Sequence, residues 1–163
     1  MKKIKIGFLP FYIKLYDDCG LQLHERLMAF YEDISKKFEA DGFEVIHTPI
    51  CRVKEEFETA VSGYEKNGAD CIVTWHAAYS PSLEASDVLA KTKLPIVVLD
   101  TTDTYEFNSP DDINFCHGIH GVMDMCNLLK RNGKKYAIVA GFYPGSDVVD
   151  RAEGFVRAAV AAK

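Results

Sequence analysis

The sequence contains no CxxC pair, and its five cysteines form an odd set. The odd number argues against a disulfide framework in which every cysteine is paired, and the lack of a CxxC pair argues against a zinc knuckle, which needs closely spaced cysteines. We therefore expect reduced thiols that are mostly buried, as free cysteines usually are. The cysteines are Cys19, Cys51, Cys71, Cys116 and Cys126.

Long apolar runs and basic blocks are also missing. The longest apolar runs, at residues 95–99 and 136–142, are far shorter than the ~20 residues that span a bilayer, so we do not expect a membrane protein. The N-terminal residues contain no apolar signal core, which predicts a cytoplasmic protein. The formal charge is −5 and the basic residues are scattered, so nucleic acid is not an expected partner.

The composition is that of an ordinary globular protein. The chain has 163 residues, of which 48% are hydrophobic and 26% are charged. Such a chain buries roughly two-thirds of the surface that its unfolded form exposes, so a disordered or fibrous protein is excluded. We predict a single α/β domain over residues 1–163.

Short apolar segments alternate with segments of helical period. The predicted strands cover residues 3–9, 43–47, 71–75, 95–99 and 136–140. The predicted helices start at residue 23, around residue 57, at Ser80, near Gly118 and at a cap on Ser146. Residues 100–114 have no clear period and are predicted as a long loop.

This order of elements predicts the fold. Repeated β–α units require parallel strands joined by right-handed crossovers, with helices on both faces of the sheet. The predicted fold is therefore a doubly wound, flavodoxin-like (Rossmann-like) three-layer sandwich whose five-stranded parallel sheet has the order 2-1-3-4-5. Ligands of such sheets bind beyond the carboxyl ends of the strands. A ligand site is therefore expected among the loops at residues 10–20, 76–80, 100–120 and 141–146.

Two activities that such folds support lack their residues here. Response-regulator chemistry needs acidic residues after strands one and three and a Lys after strand five, whereas these strands end at residues 9–10, 75–76 and 140–141 without them. An FMN or dinucleotide site needs Gly, Ser or Thr directly after strand one, where residues 10–13 are bulky and apolar. Neither activity is expected.

The densest cluster of polar chemistry lies at residues 116–124. His117, His120 and Asp124 could share one face of a helix, but this spacing is not a metal signature, because the two-His helix motif has an i, i+4 spacing and an intervening Glu. We expect the histidines to hydrogen-bond a polar ligand at a helix N-terminus, where Gly118 and Gly121 allow close backbone approach. The alternative is that both histidines only cap the helix.

The first loop places apolar side chains beyond a strand end. Residues 10–18 include several aromatic and aliphatic residues whose exposure would be unfavourable, so either helices of this domain or a partner should cover them, and we favour a partner. Trp75 and His76 could line the same crevice, although a His beside a Trp is more often packed in a core. The last helix keeps its apolar spacing up to residues 161–163 with no capping Gly, a pattern that fits a helix cut short and a naturally frayed helix equally well.

Two segments of the chain resemble the N-terminal domain of the L-fucose isomerase and L-arabinose isomerase family. They are residues 9–16 and 114–129, and the similarity extends over essentially the whole chain, including a late helix at residues 157–159. The resemblance implies that this is the front domain of a longer, homo-oligomeric, metal-dependent aldose–ketose isomerase. Members of that family use Mn²⁺ bound by later domains, so neither catalytic nor metal-binding residues are expected here.

The resemblance also implies which residues contact the sugar. At matching positions the candidates are Ile13, Leu15 and Tyr16 in the first loop, with His117 and His120 in the second segment. Arabinose isomerases have Gln where this chain has Ile13 and His117. The expected partners are a sugar, the C-terminal domains of the parent and neighbouring subunits. Two alternatives remain: a stand-alone sugar-binding or sensory module, and a domain that only builds the oligomer.

Overall fold

A computed structural model describes residues 3–20, 23–76 and 78–163. Its five strands form one fully parallel sheet of order β2-β1-β3-β4-β5, which confirms the predicted fold and strand order. The strands are β1 (Lys5–Phe11), β2 (Glu44–Ile46), β3 (Cys71–His76), β4 (Ile96–Thr102) and β5 (Tyr136–Phe142).

Helices cover both faces of this sheet. They are α1 (Lys14–Asp18), α2 (His24–Ala40), α3 (Lys54–Lys66), α4 (Leu83–Lys91), α5 (Pro110–Phe115), α6 (Gly118–Arg131) and α7 (Val148–Ala161). Helices α2 and α7 enclose one apolar core against the sheet, and α3, α4 and α6 enclose the other. All six residues of the central strand β3 are buried, as expected for a parallel strand with neighbours on both sides.

Strand β1 continues past the Pro10 at which it was predicted to stop. Proline is tolerated here because its backbone groups face away from β3, on the side where β2 has already ended at Ile46, so no strand on that side needs the missing amide. The carbonyl of Pro10 instead accepts from the Cys51 amide at 3.0 Å. The preceding free carbonyl, that of Phe8, accepts from the hydroxyls of Tyr31 at 3.0 Å and Tyr64 at 2.9 Å. One tyrosine from each helical layer thus satisfies the backbone where β2 has ended.

The segment predicted as a long loop, residues 100–114, is more ordered than expected. Residues 100–102 belong to β4 and pair with residues 140–142 of β5, and α5 begins at Pro110. The Asp112 carboxylate accepts from the Ser109 amide at 3.0 Å, which caps α5. Arg26 of α2 binds Asp103 at 2.8 Å and Asp112 at 2.6 Å while its guanidinium lies 3.8 Å from the Phe115 ring centre. These contacts hold the segment against α2.

The expected burial of the cysteine thiols is met only in part. Two cysteines, Cys51 and Cys71, are buried, whereas Cys116 and Cys126 are half-buried and Cys19 is exposed, so the thiols are less buried than predicted. None of the helices formed by residues 3–20, 23–76 and 78–163 has the length and apolar character needed to span a bilayer.

Candidate functional site at the carboxyl edge of the sheet

His76 ends β3 and is fully buried, so it does not line a crevice. Its Nδ1 lies 3.2 Å from the Ser80 hydroxyl and its Nε2 lies 3.2 Å from the Thr74 hydroxyl. Its ring stacks on Phe11, with 4.3 Å between ring centres. Burial lowers the pKa of His76 to about 3, because an imidazolium would lose its hydration there. His76 is therefore neutral and serves to fix the turn that follows β3.

Ser80 does not cap a helix, contrary to the prediction. It is buried against His76, and α4 begins three residues later, at Leu83. The Ser80-Pro81 pair resembles a helix start, but the Ser80 hydroxyl forms a buried contact with the His76 imidazole instead of capping a helix. This contact fixes the turn that contains Tyr79.

Gly118 and Gly121 allow close approach, but to the chain itself and not to a ligand. A Cβ on Gly118 would lie 2.0 Å from the His76 carbonyl oxygen, and a Cβ on Gly121 would lie 2.7 Å from the Ser80 carbonyl oxygen. The expected space for a ligand at these glycines is therefore filled by the turn after β3. The glycines position the start of α6, where His117 directly precedes the helix and His120 lies in its first turn.

Asp100 is a buried carboxyl beside Gly118. It lies in β4, and one of its oxygens is 2.7 Å from the position that a Cβ on Gly118 would occupy. Burial raises the pKa of Asp100 to about 7, because the charged form is poorly solvated. Sequence reasoning assigned this residue to a loop and missed it. The signal that could have found it is the acidic residue directly after a β-branched apolar strand.

Tyr79, which the sequence did not single out, lies near both predicted segments, the first loop with Tyr16 and the segment with His117 and His120. The ring centre of Tyr79 is 6.3 Å from that of His117, and the pKa of Tyr16 is raised mainly by its burial and in smaller part by the Tyr79 phenol. The His117 and His120 rings meet edge to face at 4.1 Å. We call Tyr16, Tyr79, His117 and His120 the Tyr–His row. Tyr16, Tyr79 and His117 are half-buried and His120 is exposed.

The first loop is covered mostly by the domain itself. Phe11 and Tyr12 are buried, Ile13 is half-buried, and only Leu15, at 55% exposure, projects markedly into solvent. The expectation that a partner covers the whole loop is therefore wrong for its aromatic residues. They pack into the two cores because β1 extends to Phe11 and Tyr12 continues the extended chain. Tyr12 and Tyr16 meet edge to face at 5.8 Å.

The Tyr–His row offers imidazoles and phenols but no carboxylate. Among the described residues, the one group of three possible metal ligands is Asp41, Asp150 and Glu153, on the far side of the fold between α2 and α7. Lys37 already pairs with two of these carboxylates, Asp41 and Asp150. The acidic group is therefore occupied by an ammonium, and we assign no metal to it.

Two open clefts lie next to the segment after β2 and share no lining residue with the Tyr–His row. The larger, of about 510 Å³, is floored by Tyr31 and Ile50 and edged by His24 and His47. The other, of about 380 Å³, lies beside Arg52. The row itself is a partly exposed surface, so a ligand there would be enclosed only with help from another domain or subunit.

Comparison with known proteins adds little. Neither a family model nor a curated protein matches this chain. Similar solved structures include a periplasmic binding protein from Burkholderia mallei, with 14% identity over 93% of this chain and 51% of that chain and a TM-score of 0.35. A type 1 periplasmic binding protein from Bordetella pertussis has 13% identity, the same coverage of this chain, 54% of its own and a TM-score of 0.35.

A third similar structure is an FMN-dependent NADH-azoreductase from Bacillus anthracis in complex with FMN. It has 13% identity, covers 99% of both chains and has a TM-score of 0.34. The chain spans about half the length of the two binding proteins. At these identities and TM-scores the similarities identify neither a family nor a function.

Proposed function

We propose that this chain is the substrate-contacting N-terminal domain of a metal-dependent aldose–ketose isomerase of the L-fucose and L-arabinose isomerase type. The observation that carries the proposal is the Tyr–His row, which joins Tyr16 of the first loop to His117 and His120. These are the two segments that resemble that family, and about a hundred residues of chain separate them. Tyr79 connects them at the edge where doubly wound folds bind ligands.

The chemistry of the row suits a sugar. An imidazole donates and accepts hydrogen bonds, as sugar hydroxyls do, and the faces of Tyr16 and Tyr79 offer apolar contact to the C–H side of a sugar ring. The row holds no charged carboxylate or ammonium, which matches a neutral ligand. Partial exposure leaves each side chain accessible.

The reaction itself belongs to other parts of the parent protein. Mn²⁺ in such isomerases polarises the sugar carbonyl and hydroxyl, and it prefers oxygen ligands together with imidazole. The row contains no carboxylate, and the acidic group near Lys37 is already paired, so this chain does not fit the metal. Its residues bind and orient the sugar, and the isolated chain is inactive.

The proposed partners follow from the same surface. Two exposed apolar side chains lie beside the row: Leu15, 55% exposed, precedes Tyr16, and Met123, 56% exposed, lies three residues after His120. A neighbouring subunit of a homo-oligomer would cover them. The remaining contacts are with the C-terminal domains of the parent, in the cytoplasm. Nucleic acid has no place in the proposal, since the chain carries a net charge of −5.

The test is made on the protein as its native cell produces it. We expect an intact mass well above 18.3 kDa and Mn²⁺-dependent isomerisation of L-arabinose or L-fucose. His117→Ala and His120→Ala should each lower kcat/KM by about tenfold, the loss of one hydrogen bond to substrate. His47→Ala, an exposed His at the end of β2, is the matched control and should leave kcat/KM unchanged.

Three outcomes would overturn the proposal. A native product of 18.3 kDa would leave no place for the catalytic residues and would favour the stand-alone binding module. Unchanged kcat/KM in both histidine variants would favour a domain that only builds the oligomer. Conversion of an aldose by purified residues 1–163 with Mn²⁺ would show that the chemistry lies in this chain.

A further inference from the structure

Strand β5 leaves one edge of the sheet open. It is the last strand in the order β2-β1-β3-β4-β5, and among the described residues no further strand pairs with its outer side. Its seven residues, Tyr136–Phe142, include no charged residue and no proline. The other edge strand, β2, has three residues, and its Glu44 pairs with Lys5. Native proteins protect sheet edges by shortness, charge or proline, and β5 has none of these features.

The backbone groups of β5 point alternately to β4 and to the open side. The Tyr143 amide donates to the Thr102 carbonyl of β4 at 2.9 Å, so odd-numbered residues of β5 face β4 and even-numbered residues face outward. The side chain of Arg151 agrees with this direction, since it donates to the Ala140 carbonyl at 3.0 Å from the open side. At the middle of the edge, the amide and carbonyl of Ile138 face outward and have no partner in the described part of the chain.

Apolar side chains remain exposed on both faces of the sheet beside this edge. Ile138 is in register with Val98, which places it on the face covered by α3, α4 and α6, and it is 46% exposed there. On the other face, Phe155 of α7 is also 46% exposed and lines an open cleft of about 480 Å³ together with Ala137 and Ala159. A strand added to β5 would carry side chains on both faces and would cover both places.

The side chains of β5 are complementary to a second copy of the same strand. If two copies run antiparallel about Ile138, Tyr136 of one lies opposite Ala140 of the other, and Ala137 lies opposite Val139. Each larger side chain then faces a smaller one. The two exposed Ile138 side chains lie opposite each other and cover one another.

The charges at the two ends of β5 favour the antiparallel direction. Lys134 and Lys135 precede the strand, and Asp147, which pairs with Arg151 but has a 69% exposed side chain, follows it. A parallel second copy would set the lysines of both copies side by side, where like charges repel. An antiparallel copy separates the lysines and places them toward the other copy's Asp147.

We propose that β5 pairs antiparallel with β5 of a second copy of this chain, which joins two five-stranded sheets into one of ten strands. In the pairing centred on Ile138, the two Ile138 residues exchange two backbone hydrogen bonds, and Tyr136 and Ala140 exchange two more on each side. The Ala140 carbonyl accepts its bond beside that of Arg151, because a carbonyl oxygen has two lone pairs. The same patch serves on both copies, as two-fold symmetry requires.

This inference goes beyond the proposed function. The proposed function expects a neighbouring subunit over Leu15 and Met123, whereas the pairing uses β5 and no residue of the Tyr–His row. The pairing also requires no sugar. Failure of sugar contact therefore leaves the pairing standing, and failure of the pairing leaves sugar contact standing.

The oligomeric state of the chain tests the pairing. By sedimentation equilibrium we expect a mass near twice 18.3 kDa at about 100 μM, with dissociation to the monomer on dilution. A mass of 18.3 kDa at every concentration up to about 100 μM would overturn the proposal.

Variants of the edge show whether β5 forms the interface. Ile138→Lys places a charge at the centre of the edge and should raise the Kd of the dimer at least about a hundredfold. Ala140→Pro removes an outward amide that β4 does not use and should have the same effect. The matched control is Leu83→Lys, at a 75% exposed leucine that begins α4, and it should leave the Kd unchanged. An unchanged Kd in either edge variant that folds, judged by circular dichroism, would overturn the proposal.

Hydrogen exchange in the unaltered chain identifies what covers the edge. The outward Ile138 amide should exchange at least about tenfold more slowly in the dimer than in the monomer, whereas the Val139 amide, which faces β4, should be protected in both. Equally fast exchange of Ile138 in dimer and monomer would overturn the proposal. Equally slow exchange would do so too, because another segment of the same molecule would then cover the edge.

Discussion

Asp100, near the end of β4, and His76, at the end of β3, are both buried. Their contributions to the stability of the fold change with pH in opposite directions. Burial raises the pKa of Asp100 to about 7 and lowers the pKa of His76 to about 3. In both cases the neutral form is favoured in the folded protein. Between about pH 4 and pH 7 folded Asp100 holds a proton that the unfolded chain releases, so its contribution to stability falls as pH rises. His76 destabilises the fold as pH falls below about 6.5.

Replacement of Asp100 isolates one of these effects. Asp100→Asn stays neutral at every pH, so its stability relative to the wild type should increase from about pH 4 to about pH 7. The gain should reach about 4 kcal/mol at pH 8, measured by urea unfolding. Glu153, whose pKa burial raises to about 7, is present in both proteins and cancels in the difference. A difference that does not change with pH would show that folded Asp100 is ionised throughout.

The glycine that starts α6 gives a second test at the residue scale. Gly118→Ala should destabilise the protein by about 3 kcal/mol, since its Cβ would lie 2.0 Å from the His76 carbonyl oxygen. The matched control is Gly154→Ala in α7, where no atom lies within 4 Å of the new Cβ. That change should stabilise by about 0.5–1 kcal/mol. Equal thermal midpoints for the two variants would contradict the packing described for the start of α6.

Sequence reasoning found the histidines of the row but not Tyr79. His117 and His120 form a local sequence pattern, whereas the position of Tyr79 depends on how the turn after β3 is buried, with the His76 imidazole 3.2 Å from the Ser80 hydroxyl. The Ser80-Pro81 pair carries the chemistry of a helix start, so local propensity indicated a cap. The buried contact of Ser80 with His76 decided the outcome, and the adjacent Tyr79 ring packs against His117.

At the scale of elements, the sequence located the strands well and their carboxyl ends poorly. Strands β4 and β5 extend two or three residues beyond the predicted ends at 99 and 140. In β4 the apolar signal ends at Leu99 because the last three residues of the strand are polar, while the backbone ladder continues to the pairing of Thr102 with Phe142. Helix α5 has only six residues, too few to show a period.

The attachment of α5 can be tested through Arg26. Arg26→Met keeps a long apolar stem over Phe115 but removes the bonds to Asp103 and Asp112, so amide hydrogen exchange across residues 103–117 should become about tenfold faster. Exchange in the strands should stay unchanged. Arg131→Met, at the exposed end of α6, is the matched control. Exchange in Arg26→Met that equals the control would show that the ion pairs do not hold α5.

At the scale of the whole molecule, the strand order followed from general rules of chain connection. Five β–α units leave few un-knotted, right-handed arrangements, and the observed order 2-1-3-4-5 is among them. The same rules placed the candidate site at the carboxyl edge. They could not indicate which side chains there would be buried, because His76, Ser80, Asp100 and the two glycines of α6 are packed by contacts between distant segments.

Contact between the Tyr–His row and a sugar can be measured through the NMR shifts of backbone amides and imidazoles. Titration of the chain with L-arabinose and with L-fucose should move the signals of Tyr16, Tyr79, His117 and His120, even at the weak affinity expected without a neighbouring subunit. The signals of His24 and His47, beside a different cleft, should not move. Shifts absent from the row, or confined to residues elsewhere in the fold, would contradict the claim.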